Sequence, residues 1–401
     1  MSRIWIDVED LFAYASAFRR PSGIQRTVFE LCQALAAGDP DGVGFLRHSG
    51  GSGFAEIGWN AIAGLFDGLS APSAAEHSLG QTRIAALAEI GRSLLPPARR
   101  SPPPRFAAGD TLLVAGAGWD DPSHARRLIG TKVAHRLRLA VLVYDLIPLR
   151  RPEWCDRQTA SRFGRWIDTL LRAADTLLAI SNATAVDVAA RRVILGLAPL
   201  PCRVIRLGDG FTDAPIAACP VSGRFALFVS TLEIRKNHAL LAEAWRVLLD
   251  RFGCDRVPRL VFAGREGPMV ADLMHSLRAS NFLDGHVIHL ADSTDAELAA
   301  LYHACDFTVF PSLYEGWGLP VAESLCFGTP CLASNATSVP EVGGELVRYF
   351  DPMSLSDTVA GIVTVIQAPA VLAQWRSEVA ERFVPALWSA TAATLLQAVR
   401  R

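Results

Sequence analysis

Two carboxylates stand where the chain turns from a strand into a helix. Glu315 follows the apolar run Phe307–Ser312 within a Tyr-Glu-Gly-Trp-Gly turn, and Glu323 comes eight positions later, inside a helix predicted from about Pro320. The flanking glycines leave backbone N–H groups accessible at a helix N-terminus, a place that favours an anion. Carboxylates in this setting are suited to accept hydrogen bonds from polyol hydroxyls beside a bound phosphate.

A second polar turn follows the run Phe225–Ser230. Arg235 and Lys236 precede the predicted helix Asn237–Phe252, with Asn237 as its candidate N-cap. Two cations ahead of a helix N-terminus can bind a diphosphate. A solvated basic turn is the alternative for this feature taken alone.

The first half of the chain offers similar but sparser signals. Gly23 opens a helix after the first strand, where a backbone without a side chain can approach a ligand closely. Tyr144 and Asp145 follow another predicted strand, and Ser181-Asn182 follow the next. For Ser181-Asn182, an ordinary helix N-cap is an equally simple interpretation.

Several kinds of chemistry are excluded by what the sequence lacks. It contains no G-x-S-x-G, H-E-x-x-H, P-loop or catalytic Cys/His signature, so hydrolase and kinase functions are not supported. The nine histidines and eight cysteines show no C-x-x-C and no metal-site spacing, so we expect a reducing compartment and no metal. His238 is the histidine of interest, because it adjoins Arg235 and Lys236.

The composition indicates a globular chain of two domains. Of 401 residues, 50% are hydrophobic and 20% charged, which allows large cores and excludes general disorder. A formal net charge of −1 argues against a dedicated nucleic-acid binder. Basic residues are in excess up to residue 215 and acidic residues beyond it, as expected if the first half meets an anionic partner.

The N-terminal residues and the apolar runs predict no membrane segment. The N-terminus enters a strand pattern containing acids, unlike a signal peptide, and no apolar run reaches the roughly 18 residues of a membrane span. We therefore expect a cytoplasmic protein.

The second half alternates apolar strands with helical segments. Such runs, apolar throughout, predict a parallel, doubly wound Rossmann-like sheet. The predicted strands are Phe225–Ser230, Arg259–Gly264, Val287–Ala291, Phe307–Ser312, Pro330–Asn335 and Val347–Asp351, and the predicted helices include Asn237–Phe252 and Thr294–Cys305.

The first half follows the same alternation with one interruption. Strands are predicted at Arg3–Val8, Val43–Arg47, Thr111–Ala115, Leu139–Tyr144, Thr176–Ile180 and Arg203–Leu207, and helices at Gly23–Ala37, Ser161–Ala173 and Asn182–Leu195. Residues 48–108 form an irregular excursion with one helix, Gln81–Leu95, and we expect either a functional flap or an ordinary solvated loop. Within it Leu94, Leu95, Arg99, Arg100 and Arg105 are suited to rest on an anionic membrane surface. A linker is predicted at Asp213–Gly223 and a final helix from Pro385.

These motifs together resemble the retaining glycosyltransferase family 4. The resemblance covers nearly all of residues 225–352 and rests on three segments there: the two-glutamate segment YEGWGLPVAESLCFGTP, the turn Thr231–Asn237, and Ser338–Val342. In the first half it rests on the shorter segments PSGIQR, YDLIPL and SNAT. It implies the GT-B fold, in which two Rossmann-like domains face each other across a sugar-nucleotide cleft. The implied domains are residues 1–215 for the acceptor and 216–384 for the donor nucleotide, with the helix 385–401 crossing back to the first domain.

The resemblance also implies roles for individual residues. Arg235 and Lys236 would hold the donor diphosphate and stabilise it as it leaves, Glu323 would accept hydrogen bonds from the ribose hydroxyls, and Glu315 would lie beside the transferred sugar. Gly23 would approach the phosphate from the first domain. The remaining implied donor contacts are Ser230, Glu233, Asn237, Gly316, Trp317, Gly318 and Leu319. Helix N-termini and cations would replace a divalent metal, so no cofactor and no metal are expected.

The family often has His before Asp at the position of Tyr144-Asp145. Tyrosine is a poor acid or base near neutral pH, so Tyr144 is expected to position the substrate rather than to exchange a proton, with Asp145 beside it. Retention would then proceed by front-face attack, with the leaving diphosphate assisting deprotonation of the acceptor.

The expected activity is transfer of a hexose from a nucleotide-sugar in bacterial surface polysaccharide assembly. Ser334–Glu341 resembles the mannosyl- and rhamnosyltransferase branches, so GDP-mannose is the first candidate donor. The acceptor would be a glycan or a lipid-diphosphate-linked oligosaccharide, with peripheral membrane contact through the basic first domain. The alternatives are a non-catalytic sugar-nucleotide-binding scaffold protein and a GT-B epimerase.

Overall fold

Two β-sheets organise the chain. The computed structural model describes residues 2–17, 23–49, 53–70, 103–210 and 217–400, and in these ranges a seven-stranded sheet lies within residues 4–204 and a six-stranded sheet within 225–350. We call the parts carrying them the front and back domains. The front order is β3-β2-β1-β4-β5-β6-β7, in which β3 alone runs antiparallel, and the back order is β10-β9-β8-β11-β12-β13, parallel throughout. The strands are β1 (Ile4–Asp7), β2 (Val43–His48), β3 (Phe54–Ile57), β4 (Thr111–Val114), β5 (Arg138–Val143), β6 (Thr176–Ala179), β7 (Cys202–Val204), β8 (Phe225–Val229), β9 (Arg259–Ala263), β10 (Val287–Leu290), β11 (Phe307–Phe310), β12 (Cys331–Ser334) and β13 (Arg348–Phe350).

Helices cover both faces of each sheet. Short 3₁₀ turns lie at Pro152–Trp154, Ile234–Lys236 and Gly344–Leu346, and α10 is a single turn whose backbone is left-handed. The helices are α1 (Glu9–Ala17), α2 (Gly23–Gly38), α3 (Trp59–Ser70), α4 (His124–His135), α5 (Ile147–Arg150), α6 (Arg157–Ala173), α7 (Asn182–Ile194), α8 (His238–Phe252), α9 (Ala271–Ala279), α10 (Asn281–Gly285), α11 (Asp295–Ala304), α12 (Leu319–Cys326), α13 (Val339–Gly343), α14 (Leu355–Ile366), α15 (Pro369–Arg382) and α16 (Trp388–Arg400).

The central strands are apolar because helices bury them on both sides. Every residue of β1 and β11 is buried, and Trp5, Phe228 and Phe307 are almost completely enclosed. Such strands cannot alternate between polar and apolar residues, which is the pattern that predicted a doubly wound sheet. The predicted strands are all present, with ends that differ by up to three residues.

The described part of residues 48–108 contains more regular structure than was predicted. It contains β3, which pairs antiparallel with β2, and α3, which follows at once. The sequence analysis also placed no helix at α1. β3 and α1 are short, and α3 follows Gly/Ser-rich sequence, so periodicity gives these three elements little signal. The predicted helix Gln81–Leu95, with Arg99 and Arg100, lies outside the described residues, whereas Arg105 is described and exposed.

The last helix crosses back to the front domain. α16 packs against α2, with Leu395 and Val399 buried, and Thr391 donates a hydrogen bond to the Arg206 carbonyl at 2.9 Å. Just ahead of it, Asp209 accepts a hydrogen bond from the Ala386 N–H at 2.9 Å. The predicted GT-B architecture, including this crossing helix, is confirmed, although the helix begins three residues after Pro385.

Within the described ranges no single helix has the length and apolarity to cross a bilayer. The pair α14 and α15 meets these limits only when counted as one segment across a 91° bend. All eight cysteines are free, and Cys32, Cys305 and Cys331 are buried.

Candidate active site

A deep cleft separates the facing edges of the two sheets. Its volume is about 930 Å³, and both domains line it with residues that follow the carboxyl ends of their strands. This is where open α/β sheets bind ligands. The cleft brings together nearly all the predicted site residues: Gly23, Tyr144, Asp145, Ser230, Glu233, Arg235, Lys236, Glu315, Gly316, Trp317, Gly318, Leu319 and Glu323.

Asn237 is the exception. Its side chain does not cap α8; it donates hydrogen bonds to the carbonyls of Pro311 (3.2 Å) and Pro352 (2.9 Å), and its backbone is left-handed at φ 62°. Asn237 thus occupies the N-cap position of α8 without the predicted side-chain cap, and its predicted donor contact stays a prediction. Asn237 instead ties the Arg-Lys turn to neighbouring loops of the back domain.

Arg235, Lys236 and Glu315 form one charged cluster in the wall of the cleft. Lys236 Nζ lies 2.6 Å from Glu315 Oε1, and Arg235 Nη1 lies 2.9 Å from Oε2. Burial alone would raise the pKa of Glu315, but the two cations outweigh it and lower that pKa. Burial lowers the pKa of Lys236, as does the neighbouring Arg235. Glu233 Oε2 also lies 3.0 Å from Arg235 Nε, so the two cations are paired with two carboxylates. An incoming diphosphate would compete with these carboxylates for the N–H donors of Arg235 and Lys236.

Hydroxyl groups from the back domain hold the loop that carries Glu315. Thr337 accepts a hydrogen bond from the Glu315 N–H at 2.9 Å, and Ser338 donates to the carbonyls of Glu315 (2.9 Å) and Trp317 (2.7 Å). Gly318 has φ 132°, a conformation that glycine alone adopts readily, and it leads directly into α12. The segment Ser334–Glu341, singled out from the sequence, therefore supports the loop from behind.

Gly316 serves the contact between the domains. A Cβ at this position would lie 2.1 Å from the carbonyl oxygen of Tyr144, so the absence of a side chain lets the two domains meet here. Thr184 donates a hydrogen bond to the same Tyr144 carbonyl at 3.0 Å. The Tyr144 hydroxyl donates to the Ala115 carbonyl at 2.7 Å, within its own domain. Tyr144 thus shapes the cleft through its backbone, and the role predicted for it toward the substrate stays a prediction.

A second contact between the domains uses the N-terminus of α7. Ser181 caps this helix by accepting from the Thr184 N–H, as predicted, and the carboxylate of Glu341 in the back domain accepts from the Asn182 N–H (2.7 Å) and the Ala183 N–H (2.9 Å). A carboxylate at a helix N-terminus is stabilised by the helix dipole. The sequence analysis gave Glu341 no role beyond its motif.

Glu323 points into the cleft from α12. It is 6% exposed, and its Oε2 accepts a hydrogen bond from the Tyr302 hydroxyl at 2.7 Å. Burial raises the pKa of Glu323, while Arg26, across the cleft, and the Tyr302 hydrogen bond lower it. The two predicted carboxylates therefore have different partners: Glu315 lies beside the cations and Glu323 beside Tyr302.

A polar cluster that was not predicted from the sequence lies at the edge of the front sheet. Asp7, His48 and His124 come together although Asp7 and His48 are 41 positions apart in sequence and His48 and His124 are 76 apart. Asp7 Oδ2 lies 3.2 Å from His48 Nε2 and 3.0 Å from His124 Nε2. Their mutual distances suit a metal ion. However, the hydrogen bonds at the other ring nitrogens argue against a bound metal.

Each histidine of this cluster carries its proton on the nitrogen that faces Asp7. Trp166 Nε1, which can only donate, lies 3.0 Å from His124 Nδ1, and Arg127 Nη1 lies 2.6 Å from His48 Nδ1. Both Nε2 atoms must then donate to Asp7, which leaves them no lone pair for a metal. Burial would raise the pKa of Asp7, but these hydrogen bonds hold it well below its usual range. The cluster is therefore better explained as a set of hydrogen bonds that joins β1, β2 and α4 than as a metal site.

Asp10 is a second acid in the front wall that the sequence analysis did not identify. Its Oδ2 accepts from the Ala117 N–H at 3.1 Å, whereas its buried Oδ1 has no hydrogen-bond partner among the described residues. Burial raises the pKa of Asp10 to about 6. A carboxyl whose pKa is higher in the folded than in the unfolded protein destabilises the fold increasingly as pH rises from about 4 to 6.

We therefore expect Asp10→Asn to stabilise the protein at pH 7.5, by about 1–3 kcal/mol, because the variant removes a poorly compensated buried charge. The gain should shrink near pH 4.5, where Asp10 is largely protonated in the native protein. Urea unfolding at both pH values measures this difference. A variant that is less stable than the native protein at pH 7.5 would show that the carboxylate supports the fold.

Known proteins resemble the chain in both sequence and fold. Residues 215–381 match the family model of glycosyl transferases group 1. O-antigen chain mannosyltransferase B of Escherichia coli is 29% identical over 247 residues, 58% of this chain and 62% of that protein. Serotype-specific mannosyltransferase WbdA of Escherichia coli is 30% identical over 233 residues, 54% of this chain but only 28% of that protein. The match thus spans less than two thirds of each of these relatives.

Similarity to a solved structure extends over nearly the whole chain. HepE of Anabaena in complex with UDP-glucose superposes with a TM-score of 0.62 at 15% identity, covering 99% of both chains. At this identity the likeness shows the GT-B fold alone. The family match falls on the back domain, which carries Arg235, Lys236, Glu315 and Glu323. Residues 215–381 are thus similar to the group 1 glycosyl transferases, and the chain has the two-domain GT-B fold.

Proposed function

We propose that the protein is a retaining glycosyltransferase that moves a hexose from a nucleotide-sugar to a glycan or lipid-linked oligosaccharide in bacterial surface polysaccharide assembly. GDP-mannose is the first candidate donor, because the two relatives described above are named mannosyltransferases. The observation that carries the proposal is the cationic cluster of Arg235 and Lys236 in the same cleft as Glu323.

In this proposal each side chain has a defined task. Arg235 and Lys236 bind the donor diphosphate and neutralise the charge that develops as its bond to the sugar breaks. Glu315 keeps both cations in place and lies beside the sugar, and Glu323 accepts hydrogen bonds from the ribose. The acceptor hydroxyl attacks on the face that the diphosphate leaves, and the departing phosphate oxygen receives its proton. Positioning within the cleft supplies much of the rate.

A cytoplasmic location with peripheral membrane contact belongs to the same proposal. A lipid-linked acceptor would bring the front domain to the inner face of the membrane, where the exposed Arg105 faces anionic headgroups. The scaffold alternative is disfavoured because the cations and both carboxylates are present in one cleft. The epimerase alternative would need further acid–base residues beside the sugar.

A transfer assay tests the proposed function. The protein is incubated with GDP-mannose and with UDP-, ADP- and dTDP-sugars, with and without mannose-terminated oligosaccharides, and released nucleotide and product are measured. Slow donor hydrolysis without acceptor, and an extended oligosaccharide with the donor's anomeric configuration, are expected. Donor binding without hydrolysis or transfer would favour the scaffold alternative, and a changed free sugar nucleotide the epimerase.

We further propose that the chemical step needs no metal. Transfer in the presence of EDTA should remain within about twofold of the untreated rate, because Arg235 and Lys236 take the place of a Lewis acid. Restoration of lost activity by Mg²⁺ or Mn²⁺ would contradict this. Adding Zn²⁺ to the native protein and to His124→Ala shows whether the Asp7, His48 and His124 cluster binds metal at all.

A further inference from the structure

Arg26 reaches across the cleft from the front domain to two carboxylates of the back domain. It lies in the first turn of α2, three residues after Gly23. Its Nη2 is 2.6 Å from Asp295 Oδ1 at the start of α11, and its Nη1 is 3.7 Å from Glu323 Oε1 in α12. One side chain thus connects the front wall of the cleft with the carboxylate expected to bind the ribose.

The two contacts of Arg26 differ in kind. The 2.6 Å contact with Asp295 is a hydrogen-bonded ion pair, and it fixes the guanidinium in place. The 3.7 Å contact with Glu323 exceeds hydrogen-bond length, so it is an electrostatic attraction without a direct hydrogen bond. The other oxygen of Glu323 is engaged by the Tyr302 hydroxyl. Glu323 Oε1 and Arg26 Nη1 therefore face each other without being bonded.

A hydroxyl group is the ligand that completes this arrangement. A guanidinium can only donate hydrogen bonds and an ionised carboxylate can only accept them, whereas a hydroxyl does both. A hydroxyl beside this pair can accept from Arg26 and donate to Glu323 at ordinary distances. A phosphate oxygen at the same place would be repelled by Glu323, so the pair discriminates between the ribose and the diphosphate of a nucleotide.

We propose that Arg26 is a nucleotide-binding residue supplied by the front domain, which donates a hydrogen bond to a ribose hydroxyl held by Glu323. The inference rests on the proposed function, because it requires that a nucleotide occupies this cleft. Binding of the ribose then joins the two walls, and Asp295 keeps the guanidinium oriented while it does so. The charge of Arg26 also opposes the burial that raises the pKa of Glu323.

The test pairs one substitution with the removal of the ribose hydroxyls. Dissociation constants of GDP and UDP, and of their 2′,3′-dideoxy forms, are measured by calorimetry for the native protein and for Arg26→Gln. For the ribonucleotide that binds, Arg26→Gln should raise the dissociation constant roughly 10-fold, equivalent to 1.4 kcal/mol. The dideoxy form should bind both proteins with constants that agree within about twofold.

Controls separate binding from folding. Arg26→Lys keeps the charge, so its dissociation constant for the ribonucleotide should lie between those of the native protein and Arg26→Gln. Arg165 is an exposed arginine on α6, and Arg165→Gln should bind the ribonucleotide as tightly as the native protein does. Equal weakening of the ribonucleotide and its dideoxy form would mean that Arg26 only holds the domains together, and an unchanged constant would mean that it makes no contact. Either result overturns the inference. If the native protein binds none of GDP, UDP, ADP and dTDP, the proposed function is contradicted and this inference with it.

Discussion

Replacing Lys236 with alanine is expected to lower turnover in the transfer assay by about 10²–10³-fold. Lys236 is 8% exposed and its ammonium lies 2.6 Å from Glu315, so its charge is fixed in a site from which water is largely excluded. A charge placed in this way stabilises a leaving diphosphate without reorganising. Steady-state kinetics with saturating donor and acceptor measure the loss, which should be larger in kcat than in donor affinity.

Glu315→Gln tests the same charged cluster as Lys236→Ala from the side of the carboxylate. Removing the carboxylate leaves two buried cations without their shared partner, so this variant should bind free nucleoside diphosphate at least as tightly as the native protein while its turnover falls. Loss of activity through misfolding would appear as a lowered melting temperature in both variants. A Lys236→Ala variant that folds normally and transfers sugar within a few-fold of the native rate would contradict the assigned role.

Gly316→Ala is expected to reduce turnover by about 100-fold while weakening nucleotide binding by no more than the roughly 10-fold assigned to Arg26. The added methyl group would lie 2.1 Å from the Tyr144 carbonyl oxygen, so the domains must separate by about 1 Å before it fits. That separation moves acceptor and donor apart in the cleft but leaves Arg235, Lys236 and Glu323 on one domain. Calorimetry with nucleotide and kinetics with acceptor distinguish the two effects.

The matched control is Gly130→Ala. Gly130 lies in α4 with nothing within 4 Å of the position that its Cβ would take, so alanine should be neutral or slightly stabilising there. If Gly316→Ala proved as active as Gly130→Ala, the close approach of the domains would not matter for catalysis. If it lost nucleotide binding together with turnover, the substitution would have disturbed the back domain itself.

Residues close together in sequence were the ones whose positions in the cleft could be predicted. Continuous apolar strands such as β8 and β11 indicate burial on both faces, so the doubly wound sheets and the polar turns that follow their strands could be predicted from the chain alone. Arg235, Lys236, Glu315 and Glu323 lie in those turns or one helical turn beyond. The structure adds that one of the carboxylates is used to hold the cations.

Contacts between distant segments could not be predicted in the same way. Arg26 and Asp295 are 269 positions apart, and Asn182 and Glu341 are 159 apart. No local spacing encodes such pairs, because they depend on how the domains face each other. Asn237 was misassigned for a related reason: its position before a helix suggests a cap, but tertiary hydrogen bonds draw its side chain elsewhere. Gly316 likewise follows the pattern of a phosphate-binding turn, and only the folded chain shows Tyr144 against it.

The measurement that tests the central claim most directly is a thermal-shift panel of GDP, UDP, ADP and dTDP sugars. A ligand that binds the folded protein alone raises its stability by RT ln(1 + [L]/Kd). We expect one nucleotide class to raise the melting temperature, and Lys236→Ala and Glu323→Ala to reduce that shift. No shift with any of these donors, or a shift that both variants retain in full, would contradict a nucleotide-sugar site in this cleft.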